Sequence, residues 1–446
     1  MPAVAADPEA ARRFALRVVS RLREAGHEAL WAGGCVRDEL LGRTPADFDV
    51  ATSAHPDAVR ELFGRRRTLA VGAAFGVITI VGPPDAGHVE VTTFRTDAGY
   101  TDGRHPAGVR FSTPQEDAQR RDFTINGLFF DPIEGKVHDY VGGQADLAEG
   151  IVRAIGVASQ RFAEDHLRML RAVRFSAGFG FVLEADTRAA IERMAGLVTS
   201  VSPERIAAEL RLMISRTGRT AALDLLLETG LAAEVLPEVA LPEGSALPAA
   251  QWRVASRVVG ALDEPSLPAA LAMLVDVSHP SERDAEVALP PGRRPHSRTI
   301  TAIGTRLRLS NEETTTADWL LAAIQTLDRI AQTTGLQAAR WSMLQPWLAD
   351  RRASQLADLM RARADHGLGS PEAAAWVTLQ LERDSHALDP PPLLSGHDLL
   401  AAQLATGRDI GRWLGEVRQR QLDGEVATKD DALAWLRTQT GPDEVP

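Results

Sequence analysis

"RTPADFDVAT", residues 43–52, sets two aspartates one residue apart between a turn-forming Thr-Pro pair and a short, β-prone ending. On a strand, residues i and i+2 point to one face, so Asp47 and Asp49 are expected to project together. Like charges that close raise each other's pKa unless something positive sits between them. A divalent cation is the simplest such partner. Alone, D-x-D reads more readily as a solvated turn, and the surrounding stretches shift the balance.

The bulk composition bounds the answer. A chain of 446 residues exceeds one typical core, so two to four domains are expected. No apolar run approaches the ~18 residues of a membrane-spanning helix. The start, "MPAVAADPEAARRF", lacks the apolar centre of a secretory signal. Cys35 is the only cysteine, which excludes an internal disulfide and fits a reducing cytoplasm. The net charge of −11 argues against nucleic-acid binding in bulk, but it is unevenly spread. Residues 1–216 carry 27 basic and 29 acidic side chains, and the remainder 22 against 31. Only Lys136 and Lys429 are lysines, which a compositional bias toward arginine explains.

Along the chain, residues 8–28 read as an amphipathic helix. "EALWAGG" reads as a strand ending at a glycine pair, and "CVRDELLG" as a two-turn helix closed by Gly42. "DFDVAT", "FGVITIVG" and "HVEVTTFR" follow as strands around the helix "HPDAVRELFG". From about residue 158 almost every segment is helical. Breaks at "LPEVALPEGSALPAA", "ALPPGRRPHSR" and "LDPPPLLSG" mark linkers or domain edges.

Several stretches carry chemistry. "GGCVRD" puts Gly33 and Gly34 at a strand-to-helix turn, where bare backbone and a helix N-terminus suit a phosphate. Arg37 in the first turn can reach the same group. In "HVEVTTF", Val89 and Val91 face one way and Glu90 faces the other with His88 and Thr92. Two acids with a third on a neighbouring strand make the oxygen-rich donor set that Mg²⁺ prefers. "QRRDFTING" offers Arg120, Arg121, Asp122 and Asn126 for phosphate and ribose. In "EDHLRMLRAVRF", Asp165, Arg168, Arg171 and Arg174 recur every three residues, so one helix face is expected to carry them. Cytosine and adenine both set an amino donor beside a ring-nitrogen acceptor, whereas guanine and uracil do not. A carboxylate with a guanidinium matches that order, so Asp165 with Arg168 could admit C and A. Arg171 and Arg174 would be left for phosphate or positioning.

In this order and spacing, "GGCVRD", "DFDVAT", "VEVTTFR", "RRDFTING" and "EDHLRMLRAVRF" resemble the class II tRNA nucleotidyltransferase and bacterial poly(A) polymerase family. The resemblance covers roughly residues 25–240, through "SPERIAAEL" and "ETGLAAEVLPEV". It implies an α+β head of the DNA-polymerase-β nucleotidyltransferase type with a small mixed sheet, then an all-α neck, body and tail. The corresponding boundaries are a catalytic head over 1–147, a neck with the nucleotide-template helix over 148–215, a body over 216–388 and a tRNA-binding tail over 389–446. It further implies that Asp47 and Asp49 bind Mg²⁺, that Gly34 and Arg37 hold the triphosphate, and that Arg121 and Asp122 contact its sugar and phosphates. Asp165 and Arg168 would template the incoming base, with Arg171 and Arg174 close by.

Within the family, "FRTDAGYTDGRHPAGVRF" looks like the flexible loop of CCA-adding enzymes, and "VGAAFGVITI" like their strand pair. The tail "LSGHDLLAAQLATGRDIGRWLGEVRQRQLDGEV" also resembles theirs, and no lysine-rich C-terminus of the poly(A) polymerase kind is present. "LAMLVDVSHP" resembles a decayed metal-binding segment, HD-like and near 271–280, with Val275 where a histidine would stand and Asp276 kept. No phosphohydrolase site is expected there. His279 reads as an incidental surface residue, and Cys35 as a packing residue. The expectation is a cytoplasmic, Mg²⁺-dependent enzyme that adds CCA to tRNA from CTP and ATP, with no membrane association. A poly(A) polymerase, a CC- or A-adding partial enzyme and an inactive RNA-binding scaffold are the rivals. Oligomeric state stays open. For RNA contact by the acidic back half, "RRASQLADLMRARADHG" and "RWLGEVRQRQ" are the candidate basic stripes.

Overall fold

A computed structural model describes residues 7–100, 106–242, 246–279 and 297–439. The chain divides into two compact units, residues 1–235 and 236–446.

The first unit starts with helix α1 (Pro8–Glu24), where the Asp7 carboxylate accepts from the amides of Glu9 and Ala10 and Pro8 holds the first turn. There follow β1 (Ala29–Ala32), α2 (Gly34–Leu40), β2 (Asp49–Thr52), α3 (Pro56–Phe63), β3 (Thr68–Leu69), β4 (Val77–Val81) and β5 (His88–Thr93). Next come β6 (Arg95–Tyr100), β7 (Pro106–Phe111), α4 (Pro114–Gln119), β8 (Leu128–Asp131), β9 (Lys136–Asp139) and α5 (Gly143–Glu149). Seven strands form one mixed sheet in the order β3-β4-β5-β2-β1-β8-β9. Within it β2 and β5 run parallel and every other pairing is antiparallel.

Alternation of side chains sorts the sheet into two faces. Trp31, Val50, Val91 and Ile78 stand opposite one another across four strands. Arg12 of α1 lies over the Trp31 ring, so α1 covers this face. The other face carries Leu30, Ala51 and Phe129, packed with Phe94 and Ala118. Asp49, two residues before Ala51, and its register partner Glu90 stand on this second face.

The stretch 94–111, expected as the flexible loop, carries an antiparallel ribbon of β6 and β7 from Arg95↔Phe111 to Tyr100↔Pro106, and residues 101–105 lie outside the described residues. "VGAAFGVITI" holds one strand, β4, because a 3₁₀ turn at Ala73–Phe75 and the positive φ of Gly76 occupy its first half.

The rest of this unit is helical apart from the two-residue parallel pair β10 (Ile151–Val152) and β11 (Val182–Leu183). Its helices are α6 (Ala158–Glu164), α7 (Leu167–Phe179), α8 (Ala185–Met194), α9 (Pro203–Ile214), α10 (Arg219–Glu228) and α11 (Leu231–Val235).

Among the described residues every regular element of the second unit is a helix. A central apolar helix, Leu267–Ser278, packs on Asn311–Thr333, which opens with a reciprocal capping box between Ser310 and Glu313. Asp276 is fully buried and accepts from Arg363 at 3.1 Å, and Arg363 also meets Asp328 at 2.9 Å. This carboxylate is therefore part of a buried ion cluster. His279 lies 2.8 Å from the Ser278 hydroxyl. A small separate core of Leu399, Val417 and Leu436, with Trp413 edge-on to Trp435, closes the C-terminal region.

Neither basic stripe is a run of unopposed cations. Arg351 pairs with Glu312, Arg352 with Asp350, and Arg361 with Asp263, Asp358 and Asp365. Arg412 pairs with Asp409, Arg418 with Asp389 and Arg420 with Glu425. Among the described residues no helix is long and apolar enough to cross a membrane.

Replacing Arg363 by methionine leaves Asp276 and Asp328 facing each other without their shared cation. The expected cost is about 3–5 kcal/mol, read as a lower urea midpoint; an unchanged midpoint contradicts this description of the cluster.

Candidate active site

The site is built around the turn between β1 and α2. Gly33 has φ +73° and donates its amide to the Leu128 carbonyl at 3.0 Å. A Cβ there would lie 2.7 Å from Arg121 Nη1. Glycine is thus required both by the backbone angle and by the close guanidinium. Gly34 begins α2, and Cys35 behind it is buried, with its thiol pushed up to about 12 by burial.

Asp47 and Asp49 do not share a strand. Asp47 is exposed in the segment that leads into β2, and Asp49 is the first residue of β2. They are nonetheless electrostatic neighbours. The Asp49 carboxyl is raised to about 6 by burial, by Asp47 and by Glu90, with Arg121 acting against them. Glu90 is exposed and stands beside Asp49 across the parallel pairing. Among the described residues no three His, Cys, Asp or Glu side chains converge as a ready metal cage. The donor set on offer is the Asp47–Asp49 pair with Glu90 adjoining. Hard oxygens in mutual repulsion, with one desolvated, fit a divalent cation.

Arg121, the cation that acts on Asp49, is held by Asp117. Asp117, fully buried in the first turn of α4, accepts from Arg120 at 2.8 Å and from Arg121 at 3.1 Å. It also accepts from the Arg95 amide at 3.2 Å. Burial alone would raise its pKa, but Arg121, Arg120 and these hydrogen bonds bring it below the usual carboxylate range. Arg121 further packs over Phe129, so its guanidinium is fixed from several sides.

Asp122 ties this region to α7. Its Oδ2 accepts from Arg171 Nη2 at 2.6 Å and Nε at 2.8 Å, and its Oδ1 from Asn126 Nδ2 at 3.0 Å. Burial opposes ionisation here, yet Arg171 and Asn126 hold the carboxyl well below its ordinary range. Asn126 in turn accepts from Arg37 Nη1 at 2.6 Å. Arg37 is itself buried, bonded to Asp38 and stacked on Phe175 and Phe179. One chain of hydrogen bonds therefore runs Arg37–Asn126–Asp122–Arg171.

The four charged residues spaced by three do not share a helix. Asp165 is extended, with φ −151° and ψ 105°, and it ends α6. Its Oδ1 accepts from the Leu167 amide at 3.1 Å and its carbonyl from the Arg168 amide at 3.0 Å. An aspartate whose side chain takes the amide two residues ahead turns the chain there instead of continuing the helix. Its carboxylate is also clamped by Arg205 of α9 at 3.2 and 2.7 Å. Arg168 is held by Glu164 and by the Arg161 carbonyl. Arg174 is buried against Glu209 at 2.6 Å. Asp117 and Glu164 were visible as acids three or four residues before arginines. Arg205 and Glu209 gave no local signal.

Because its folded pKa is depressed, Asp122 contributes stability that is present above its unfolded pKa near 3.9 and is lost as pH falls below it. Asp122→Asn is expected to lower the thermal midpoint at pH 7 by several degrees, and the gap from the parent should narrow as pH approaches 3. A gap that is constant with pH would contradict the ionic account.

Residues 29–153 match the poly A polymerase head domain, and residues 180–241 a probable RNA and SrmB-binding site of polymerase A. The chain is 34% identical over 429 residues to the CCA-adding enzyme of Lactiplantibacillus plantarum, covering 93% of each. Other curated relatives, 42–44% identical, are matched over 53–55% of their own length. The structure is similar to that of the Bacillus stearothermophilus CCA-adding enzyme in complex with CTP, at 29% identity and TM-score 0.74, covering 96% of this chain and 97% of that one. It shares the fold of the Thermotoga maritima CCA-adding enzyme complexed with tRNA, at 18% identity and TM-score 0.65 over 98% and 97%. With the same mixed-sheet head, helical remainder and near full-length match, this chain belongs to the family of CCA-adding enzymes.

Proposed function

We propose that the chain adds C, C and A to the 3′ end of tRNA, taking CTP and ATP and releasing pyrophosphate. The observation that carries this reading is the segment Arg120–Asp122. On one side Arg121 lies in the field of Asp49, and on the other Asp122 is bonded to Arg171 of α7. The acidic pair and the arginine helix thus belong to one site.

The terminal ribose oxygen forms a bond to the α-phosphorus, the α–β anhydride bond breaks, and pyrophosphate leaves. Mg²⁺ on Asp47 and Asp49, when bound, lowers the pKa of that hydroxyl and offsets charge on the leaving group. Glu90, exposed beside Asp49, accepts the hydroxyl proton. Gly33 and Gly34 admit the triphosphate to the backbone at the α2 N-terminus. Arg121 offsets phosphate charge, and Asp122 with Asn126 faces the sugar. Arg37 and Arg171 brace these two residues, and Arg174 anchors α7 to α9. Asp165 accepts from the base amino group and Arg168 donates to its ring nitrogen. Arg205 and Glu164, already bonded to this pair, pre-set the two groups before a base arrives. In this reading the head spans 1–147, the neck 148–215, the body 216–388 and the tRNA-binding tail 389–446. The enzyme works in the cytoplasm, in keeping with its lone buried cysteine.

The deciding experiment incubates the protein with tRNA lacking its 3′ end and sizes the products. CTP alone should add two residues, and the two nucleotides together three. A long ATP-dependent tail would indicate a poly(A) polymerase, and arrest after C or CC a partial enzyme. Asp49→Ala is expected to abolish incorporation while tRNA binding survives, and retained turnover would refute the assignment. Arg168→Ala should relax the choice of C and A over G and U more than it weakens triphosphate affinity. Equal loss with all four nucleotides would count against the base-reading pair.

A further inference from the structure

At the C-terminal end of α7 a cavity of about 180 Å³ opens between α7, α9 and the start of α10, with Arg43 from the segment between α2 and β2 on its wall. Its charged lining consists of Arg43, Arg174 and Arg216, and no acid lines it. Arg174 is buried, with Glu209 at 2.6 Å as its partner. Arg43 and Arg216 are exposed and have no ion-pair partner among the described residues. Arg43 lies 4.9 Å from the centre of the Phe179 ring, which also receives Arg37 at 4.6 Å. The Arg216 charge is close enough to help lower the Arg174 pKa.

This arrangement is out of keeping with its surroundings. Arg120, Arg121, Arg161, Arg168, Arg171 and Arg205 are each matched by a carboxylate within hydrogen-bond reach. Here three guanidinium groups share one small space against a single carboxylate, which is repulsive until an anion enters. Guanidinium forks match the oxygens of phosphate. The volume lies below the ~300 Å³ at which small-molecule pockets begin, so a single phosphate fits and a nucleoside triphosphate does not.

We propose that Arg43, Arg174 and Arg216 form a binding site for one phosphate group, separate from the nucleotide site at the β1–α2 turn. That group comes either from an RNA backbone or from free inorganic phosphate. The site does not depend on the assignment of Asp47, Asp49 or the base-reading pair.

The test uses the full chain and the variants Arg43→Gln, Arg216→Gln and the double substitution. Both side chains are exposed, so the thermal midpoint without phosphate should match the parent. If the group is an RNA phosphate, tRNA affinity in the double variant falls roughly five- to tenfold at moderate salt. The slope of log Kd against log salt then shrinks by about one or more. If it is free phosphate, inorganic phosphate raises the midpoint of the parent and not of the double variant, and the tRNA slope is unchanged. Unchanged tRNA binding together with equal phosphate response in parent and variant overturns the site.

Discussion

The parallel pairing of β2 with β5 is the constraint on which the head is organised. It sets Asp49 directly beside Glu90 on the sheet face away from α1, and the chain just before β2 adds Asp47. Neighbouring strands lie ~4.8 Å apart. Burial first, then the charges of Asp47 and Glu90, raise the Asp49 carboxyl to about 6. Such an arrangement lowers stability in the empty protein and is relieved when a cation arrives, a pattern expected of a functional site.

Arg121, which acts on Asp49, belongs to a series of arginines and acids that fix one another in position. Asp117 grips Arg120 and Arg121, Asp122 grips Arg171, Glu164 grips Arg168, and Arg205 grips Asp165. Each such pair removes rotamer freedom from a long side chain before any ligand binds, so less is lost on binding. In the second unit the identical device works otherwise: around Arg363 it is buried and holds helices together, and along residues 351–420 it neutralises the arginines.

Much of this was legible in the residue order. The Val89–Glu90–Val91 alternation places Glu90 on the polar face, and the glycine pair marks the β1–α2 turn, because both signals are local. Asp47 was misplaced because the Thr44–Pro45 turn delays the start of β2 to Asp49. Asp165 was misplaced because nothing in "AEDHLR" contains a glycine or proline to announce the break. The helix ends there because a side chain takes the backbone amide of Leu167, and periodicity does not register that. Arg205 and Glu209 act on residues 40 and 35 positions away, so only the packing of α9 against α7 reveals them.

In the proposed reaction Asp47 and Asp49 jointly hold a divalent cation at the mouth of a nucleotide cleft. Titrating the protein with Mn²⁺ in the presence of an unreactive CTP analogue, and following free Mn²⁺ by electron paramagnetic resonance, tests it directly. Wild type, Asp47→Asn and Asp49→Asn should all bind tRNA alike. Each variant is expected to lose about tenfold or more in Mn²⁺ affinity, since every carboxylate removed takes a donor and a charge from the ion. Equal Mn²⁺ affinity in all three proteins would contradict the claim.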